Sequence, residues 1–225
     1  MSESTSPANT NPDTAVDETD SKWIDEFATD MTHLKPIWEP DSVQAGGGEL
    51  KLLLMQHSGA AVSSKQPLGR FGRIDVKMKA PQPMSGVLTA FHVITDGDKH
   101  SEIAFEHGGT NDSAIWMNYH VDGAIEDPKD RIPLGFEASA GFHTYSVAWT
   151  PTHLQWIVDD VVKRTVPTPE GFSKDGSPFV FRASIGNADD WESSDTGVNR
   201  TTDWSKEPFT AHFQSIAYTP LPSSS

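Results

Sequence analysis

The sequence has no cysteine, which excludes disulfide bonds and any zinc site built on thiolates. It has no apolar stretch near the roughly 20 residues that a membrane-spanning helix needs, so we expect no membrane association. Basic residues are also scarce, since 17 Lys and Arg stand against 32 Asp and Glu, for a net charge of −15. A surface of that sign repels nucleic acid and anionic lipid, and the composition favours a neutral ligand such as a polysaccharide.

The acidic residues are concentrated near the N-terminus. Residues 1–30 hold eight acidic side chains and one lysine, a net charge of −7. Because residues 1–22 are rich in Ser, Thr, Asn, Pro and Asp and cannot bury apolar area, we predict a disordered acidic tail there. One folded domain is predicted over 23–220 and a short disordered C-terminus over 221–225. The N-terminus lacks the basic and apolar regions of a signal peptide, so no export route is written in this chain.

Apolar residues recur with the period of extended chain. Residues 73–79 alternate strictly, which gives a strand one buried and one solvated face. No segment shows a convincing period of 3.6 residues, and Asp159-Asp160 is typical of a two-residue hairpin loop. We therefore predict an all-β fold, a two-sheet antiparallel β-sandwich. The predicted strands cover residues 49–55, 73–79, 87–94, 101–106, 114–121, 143–149, 154–158, 161–166, 179–185 and 209–218.

One predicted strand carries two glutamates on one face. Side chains alternate in an extended chain, so Glu102, Ala104 and Glu106 point one way while Ile103 and Phe105 point into a core. The two glutamate α-carbons lie about 13 Å apart, and side chains that lean together bring the carboxyls to about 5–6 Å. Retaining glycosidases need about 5–5.5 Å. The spacing permits that chemistry, and ordinary surface charge on a solvated strand is the alternative.

Several motifs together resemble glycoside hydrolase family 16, and most of all its fungal cell-wall glucan/chitin transglycosylases. They lie at residues 69–74, 86–91, 101–106, 142–151 and 154–159, and the resemblance covers about 46–220. It implies a concanavalin A-like jelly roll that acts on β-1,3- or mixed-linkage glucans at a cell wall or outside the cell. The expected partner is a polysaccharide or oligosaccharide. We expect a monomer without a cofactor, and a structural calcium stays open.

The family's catalytic strand has the form E-x-D-x-E, which the resemblance transfers to this chain residue by residue. Glu102 takes the place of the nucleophile and Glu106 that of the general acid/base, while Ala104 replaces the aspartate between them. A methyl group neither accepts a hydrogen bond nor carries charge. Since acid/base catalysis depends on matched protonation states, we predict that turnover is weak or lost.

The resemblance also indicates where substrate would be held. Trp116 and Trp191 are candidate sugar-stacking platforms, although a Trp in a sandwich is more often core or rim. His107, a further candidate substrate contact, stands where the family commonly has an aromatic, and Ile185 stands where it commonly has a Trp. A sugar-stacking platform is therefore expected to be missing on one side. Asp190 is a candidate contact for a sugar hydroxyl or a cation, with a solvated loop residue as the alternative.

The remaining histidines favour structural roles. His92, His107, His120 and His143 have no spacing that repeats a known metal-ligand pattern, so we expect no metal site among them.

Three functions remain open at this stage. The first is an active retaining glycosidase or transglycosylase that uses Glu102 and Glu106 without the aspartate. The second, which we favour, is a protein that binds β-glucan-type polysaccharide with weak or lost turnover. The third is a sandwich whose cleft is reused for small-molecule chemistry inside the cell. Fold alone does not decide among them.

Overall fold

The computed structural model describes residues 21–97, 99–127, 131–172, 177–188 and 202–222. Residues 1–20 of the predicted tail, and the candidate site residues Asp190 and Trp191, lie outside these ranges. Two short 3-10 helices, Pro40–Ser42 and Trp204–Lys206, occur in the described part of the chain. No helix there is long and apolar enough to cross a membrane.

The described residues otherwise form strands joined by turns and loops. The strands are β1 (Trp23–Asp25), β2 (Leu34–Trp38), β3 (Val43–Gly46), β4 (Glu49–Leu54), β5 (Ala60–Ser64), β6 (Gly72–Lys79), β7 (Met84–Thr95), β8 (Glu102–Gly109), β9 (Ala114–Val121), β10 (Ala124–Glu126), β11 (Ile132–Pro133), β12 (His143–Trp149), β13 (His153–Val158), β14 (Val161–Pro167), β15 (Phe179–Asn187) and β16 (Phe209–Pro220).

The strands form two eight-stranded sheets. One has the order β14-β13-β12-β6-β16-β4-β3, with β1 also paired to β16, and the other has the order β10-β9-β8-β7-β15-β5-β2, with β11 also paired to β9. Neighbouring strands in the described residues pair antiparallel. The predicted all-β, two-sheet antiparallel sandwich is confirmed.

Local patterns explain several of these strands. In β6 the burial of side chains alternates along the strand, as the strict apolar alternation of residues 73–79 predicts. Val158 pairs with Val161, so Asp159 and Asp160 form the predicted two-residue loop between β13 and β14. Both aspartates have positive φ, 46° and 62°, as the type I′ turn of a two-residue hairpin requires.

The core lies between the two sheets and contains two fully buried tryptophans. Trp149 and Trp156 are 1% and 0% exposed. The indole Nε1 of Trp156 donates a hydrogen bond to the carbonyl oxygen of Ala104, 2.8 Å away. Because Trp156 belongs to β13 and Ala104 to β8, this bond ties one sheet to the catalytic-motif strand of the other.

Candidate active site

The side chains of β7, β8 and β9 alternate between the core and the opposite side of their sheet. Ile103 and Phe105 of β8 are core residues, 0% and 1% exposed, so Glu102, Ala104 and Glu106 face the other way. We call that side the outer face. Directly paired residues of antiparallel strands share a face. The outer face therefore contains three rows: Ile94, Glu102 and His120; His92, Ala104 and Asn118; Ala90, Glu106 and Trp116.

Glu102 is nearly buried, at 8% exposed, and three histidines surround its carboxyl group. The Nδ1 atoms of His92 and His120 lie 3.6 and 3.7 Å from Oε1, and Nε2 of His100 lies 3.5 Å from Oε2. Burial raises the pKa of Glu102 to about 7, the nearby Glu106 raises it as well, and the Arg182 guanidinium opposes both. At neutral pH a large share of this carboxyl group is therefore protonated, and a protonated carboxyl is a poor nucleophile.

Two of the histidines around Glu102, His92 and His120, are not its ion-pair partners at neutral pH. Burial, followed by the charges of Arg182, His100 and His120, lowers the pKa of His92 to about 4. Burial also lowers the pKa of His120, as does the neighbouring His100. Neutral imidazoles at His92 and His120 supply lone pairs rather than positive charge.

Glu106 has a hydrogen-bond donor on the neighbouring strand. Asn118 Nδ2 donates to its Oε2 at 2.7 Å. Burial raises the pKa of Glu106, and the bond from Asn118 works in the opposite direction. A carboxyl group whose pKa is raised by burial keeps its proton to a higher pH, which suits a general acid.

Ala104 sits between the two carboxylates and is fully buried. Its partners across the strands are His92 on β7 and Asn118 on β9. Asn118 reaches Glu106 and His92 reaches Glu102, so polar groups of the adjacent strands contact the two glutamates on both sides of the methyl group. None of these contacts places a third carboxylate between Glu102 and Glu106.

Trp116 lies in the same row as Glu106, but another side chain covers its ring. The Arg131 guanidinium carbon is 4.0 Å from the ring centroid, and Arg131 Nη2 donates to the carbonyl oxygen of Gly108. Trp116 is 9% exposed. The ring face that Arg131 covers is not open to a sugar. Trp116 therefore has little exposed ring surface for the sugar stacking that was predicted.

His107 does not reach the outer face. It is one position beyond Glu106, so its side chain points to the core side, where it is 3% exposed and pairs with Thr89. Its Nε2 lies 3.2 Å from Oδ1 of Asp112, a buried carboxylate. The structure thus places this predicted substrate contact in a buried polar pair beneath the sheet.

Trp38 is an aromatic residue of this sheet that the sequence analysis missed. It lies on the edge strand β2, pairs with Ala61 of β5 and is 45% exposed. A Cβ atom added at Gly59 would lie 2.3 Å from its ring and one at Gly186 would lie 3.7 Å away, so the ring rests on the backbone at both glycines. No short-range pattern marks this contact, because the three residues are far apart in the sequence.

The expectation that a platform is missing at Ile185 needs a correction. Ile185 is 0% exposed and belongs to the core, so its side chain does not face the outer surface at all. The next residue, Gly186, lies under the exposed ring of Trp38. An indole is therefore present on this side of the sheet, and it comes from β2 rather than from β15.

Sandwich topology with a pair of carboxyl groups on one strand is the arrangement expected of a glycoside hydrolase. The sequence model of "Glycosyl hydrolases family 16" matches residues 30–206. The chain belongs to this family.

Its sequence relatives include several plant proteins. The chain is 30% identical to xyloglucan endotransglucosylase/hydrolase protein 3 of Arabidopsis thaliana over 86% of this chain and 68% of that protein. It is 34% identical to xyloglucan endotransglucosylase protein 6 of Diospyros kaki over 81% of this chain and 62% of that protein. The chain thus spans about two thirds of the length of these relatives. The resemblance to a fungal branch in particular stays a prediction.

Solved structures share the fold. A Bacillus licheniformis β-glucanase superposes with a TM-score of 0.77 at 24% identity, over 91% of this chain and 100% of that one. A Crh5 transglycosylase superposes with a TM-score of 0.77 at 21% identity, over 91% of this chain and 86% of that one. At these identities the likeness establishes the jelly-roll fold and nothing further.

Proposed function

We propose that this protein binds a β-linked glucan-type cell-wall polysaccharide across the outer face and cleaves or transfers it only slowly. The observation that carries the proposal is Ala104, a buried methyl group between Glu102 and Glu106. Membership of the family supports a polysaccharide as substrate, and so do its relatives, which are named as xyloglucan endotransglucosylases.

Slow turnover follows from what retaining cleavage demands. One carboxylate must be ionised to attack the anomeric carbon, while the other must be protonated to release the leaving oxygen. Without a carboxylate at position 104, the protonation of Glu102 is set by burial, by Glu106 and by the Arg182 guanidinium. The protonation of Glu106 is set by burial and by the hydrogen bond from Asn118. Asn118 holds Glu106 in place, so the general acid keeps its orientation.

Two residues of the outer face support binding across the sheet. Glu106 lies on β8 and Trp38 on β2, and β7, β15 and β5 lie between them. Four steps of about 4.8 Å between strands separate the two residues by roughly 19 Å, a length that several sugar units span. The exposed ring of Trp38 offers an apolar surface for a pyranose face.

Product analysis tests the proposal directly. The protein is incubated for long periods with β-1,3-glucan, mixed-linkage glucan, xyloglucan and chitin oligomers, with Glu102→Gln as the blank. We expect retention on at least one insoluble glucan, together with a low yield of fragments or transfer products that the blank lacks. Absence of retention on every polymer would contradict binding, and turnover as fast as that of an active family member would contradict the role given to Ala104.

Trp38→Ala is expected to weaken retention on insoluble glucan about tenfold, because it removes the exposed indole surface without touching the core. Affinity electrophoresis in gels with soluble glucan measures the effect. Val161→Ala serves as the control, since Val161 is 56% exposed on β14 of the other sheet. Equal retardation of the two variants would show that Trp38 is not part of the binding surface.

A further inference from the structure

Three side chains at one end of the outer face form a cluster of metal-binding type. His100, Glu102 and His120 each offer one ligand atom, and these atoms all lie within 4.8 Å of one another. His120 is paired with Glu102 across β8 and β9, and His100 lies two residues before Glu102. His92 of β7 approaches the same carboxylate from the other side.

The distances in this cluster are unsuited to hydrogen bonds. The nitrogen–oxygen separations of 3.5 to 3.7 Å exceed the 2.7 to 3.2 Å of a normal N–H···O bond. Ligand atoms that lie about 2.0–2.1 Å from a tetrahedral zinc ion are about 3.4 Å from one another. His100 Nε2 lies 3.5 Å from Oε2 of Glu102 and His120 Nδ1 lies 3.7 Å from Oε1, so each imidazole faces one carboxylate oxygen at a separation a few tenths of an ångström longer than that.

An unpartnered nitrogen points independently to a ligand. Nδ1 of His120 is buried and makes no hydrogen bond in the described part of the chain. A buried polar atom without a partner is costly, and a metal ion would remove that cost. The backbone of His100 is anchored as well, since its carbonyl oxygen accepts a hydrogen bond from Gly123 N at 2.9 Å.

The chemistry of the donors selects among metals. Two imidazoles and one carboxylate suit zinc and its transition-metal neighbours, and they form the ligand set of zinc sites that keep one position open. Calcium and magnesium require shells of oxygen ligands, which this cluster lacks. His100 and His120 keep 25% and 22% of their side-chain surface exposed, so an ion can enter from solvent.

We infer that His100, Glu102 and His120 bind one zinc-class divalent ion on the outer face, with His92 adjacent as a further nitrogen donor. The ion binds the carboxylate of Glu102, which is the group that cleavage would use as nucleophile. Metal binding and nucleophilic attack by Glu102 therefore exclude one another. The inference concerns this chain's own side chains and does not depend on the proposed function, because binding is measurable without any turnover.

Calorimetric titration of the full chain with zinc chloride tests the inference, after removal of any affinity tag and treatment with a chelator. We expect one saturable site with a dissociation constant in the micromolar range or below at pH 7.5. His100→Ala and His120→Ala should each weaken it about a hundredfold. His57→Ala is the matched control and should leave the affinity unchanged, since His57 lies exposed in the turn between β4 and β5.

Two further readouts keep the test decisive if one variant folds poorly. Zinc should raise the unfolding temperature of the wild type and of His57→Ala but not that of His100→Ala. Cobalt in place of zinc should give the visible absorption bands of a four-coordinate site, and calcium should give none of these effects. Absence of saturable zinc binding below about 100 μM, equal to roughly −5.5 kcal/mol, would overturn the inference. An affinity unchanged in folded His100→Ala would also overturn it.

Discussion

Replacing Ala104 by aspartate is expected to raise the rate of product formation from a β-glucan by about tenfold to a hundredfold. The new carboxylate would lie between Glu102 and Glu106, on the outer face, with His92 and Asn118 as its cross-strand neighbours. It restores the charge and the hydrogen-bond acceptor that a methyl group lacks. Initial rates of reducing-end release, at equal protein concentration, measure the change.

Ala104→Asn is the matched control, because asparagine has the size of aspartate without its charge. We expect it to stay near the wild-type rate. The double variant Ala104→Asp with Glu102→Gln should form no product, which ties any gain to the nucleophile. Thermal unfolding of each variant checks that the fold survives a buried polar group. Equal rates for the Asp and Asn variants would contradict the role given to residue 104.

Trp156→Ala is expected to lower the free energy of unfolding by about 3–5 kcal/mol, the cost typical of deleting a large buried aromatic side chain. Trp156 is 0% exposed between the sheets, and the Arg164 guanidinium carbon lies 5.0 Å from its ring centroid. The substitution also leaves the carbonyl oxygen of Ala104 without its indole donor. Urea denaturation followed by tryptophan fluorescence and circular dichroism measures the loss.

Trp156→Phe is the milder companion variant. It keeps most of the buried aromatic area but loses the bond to Ala104 and the volume of the second indole ring, so we expect a smaller cost of about 1–2 kcal/mol. Val161→Ala, at a residue 56% exposed, should change stability by less than about 0.5 kcal/mol. If Trp156→Ala cost no more than Val161→Ala, the indole would not be the link between the sheets that the structure describes.

Features that depend on neighbours in the sequence were predictable. The alternation over residues 102–106 set which side chains of β8 face the core, because the side-chain period of a strand is two residues. The loop Asp159-Asp160 was predictable for the same reason, since a two-residue hairpin is a local structure. The all-β sandwich followed from many such patterns together.

The surroundings of the carboxylates were not predictable in this way. His92 and His120 contact Glu102 only because β7, β8 and β9 pair in one particular register. A shift of one residue would turn either histidine to the other face. Trp116 was predicted as a platform, but the contact with Arg131, fifteen positions away, covers its ring.

By itself, the sequence determined the β-sandwich class, the acidic surface and the placement of Glu102, Ala104 and Glu106 on one face, because these rest on composition and on a local period. Only the tertiary structure decided what that face contains. It brought three imidazoles to Glu102 and laid Trp38 over Gly186, since strand register and strand order join residues that no local pattern connects.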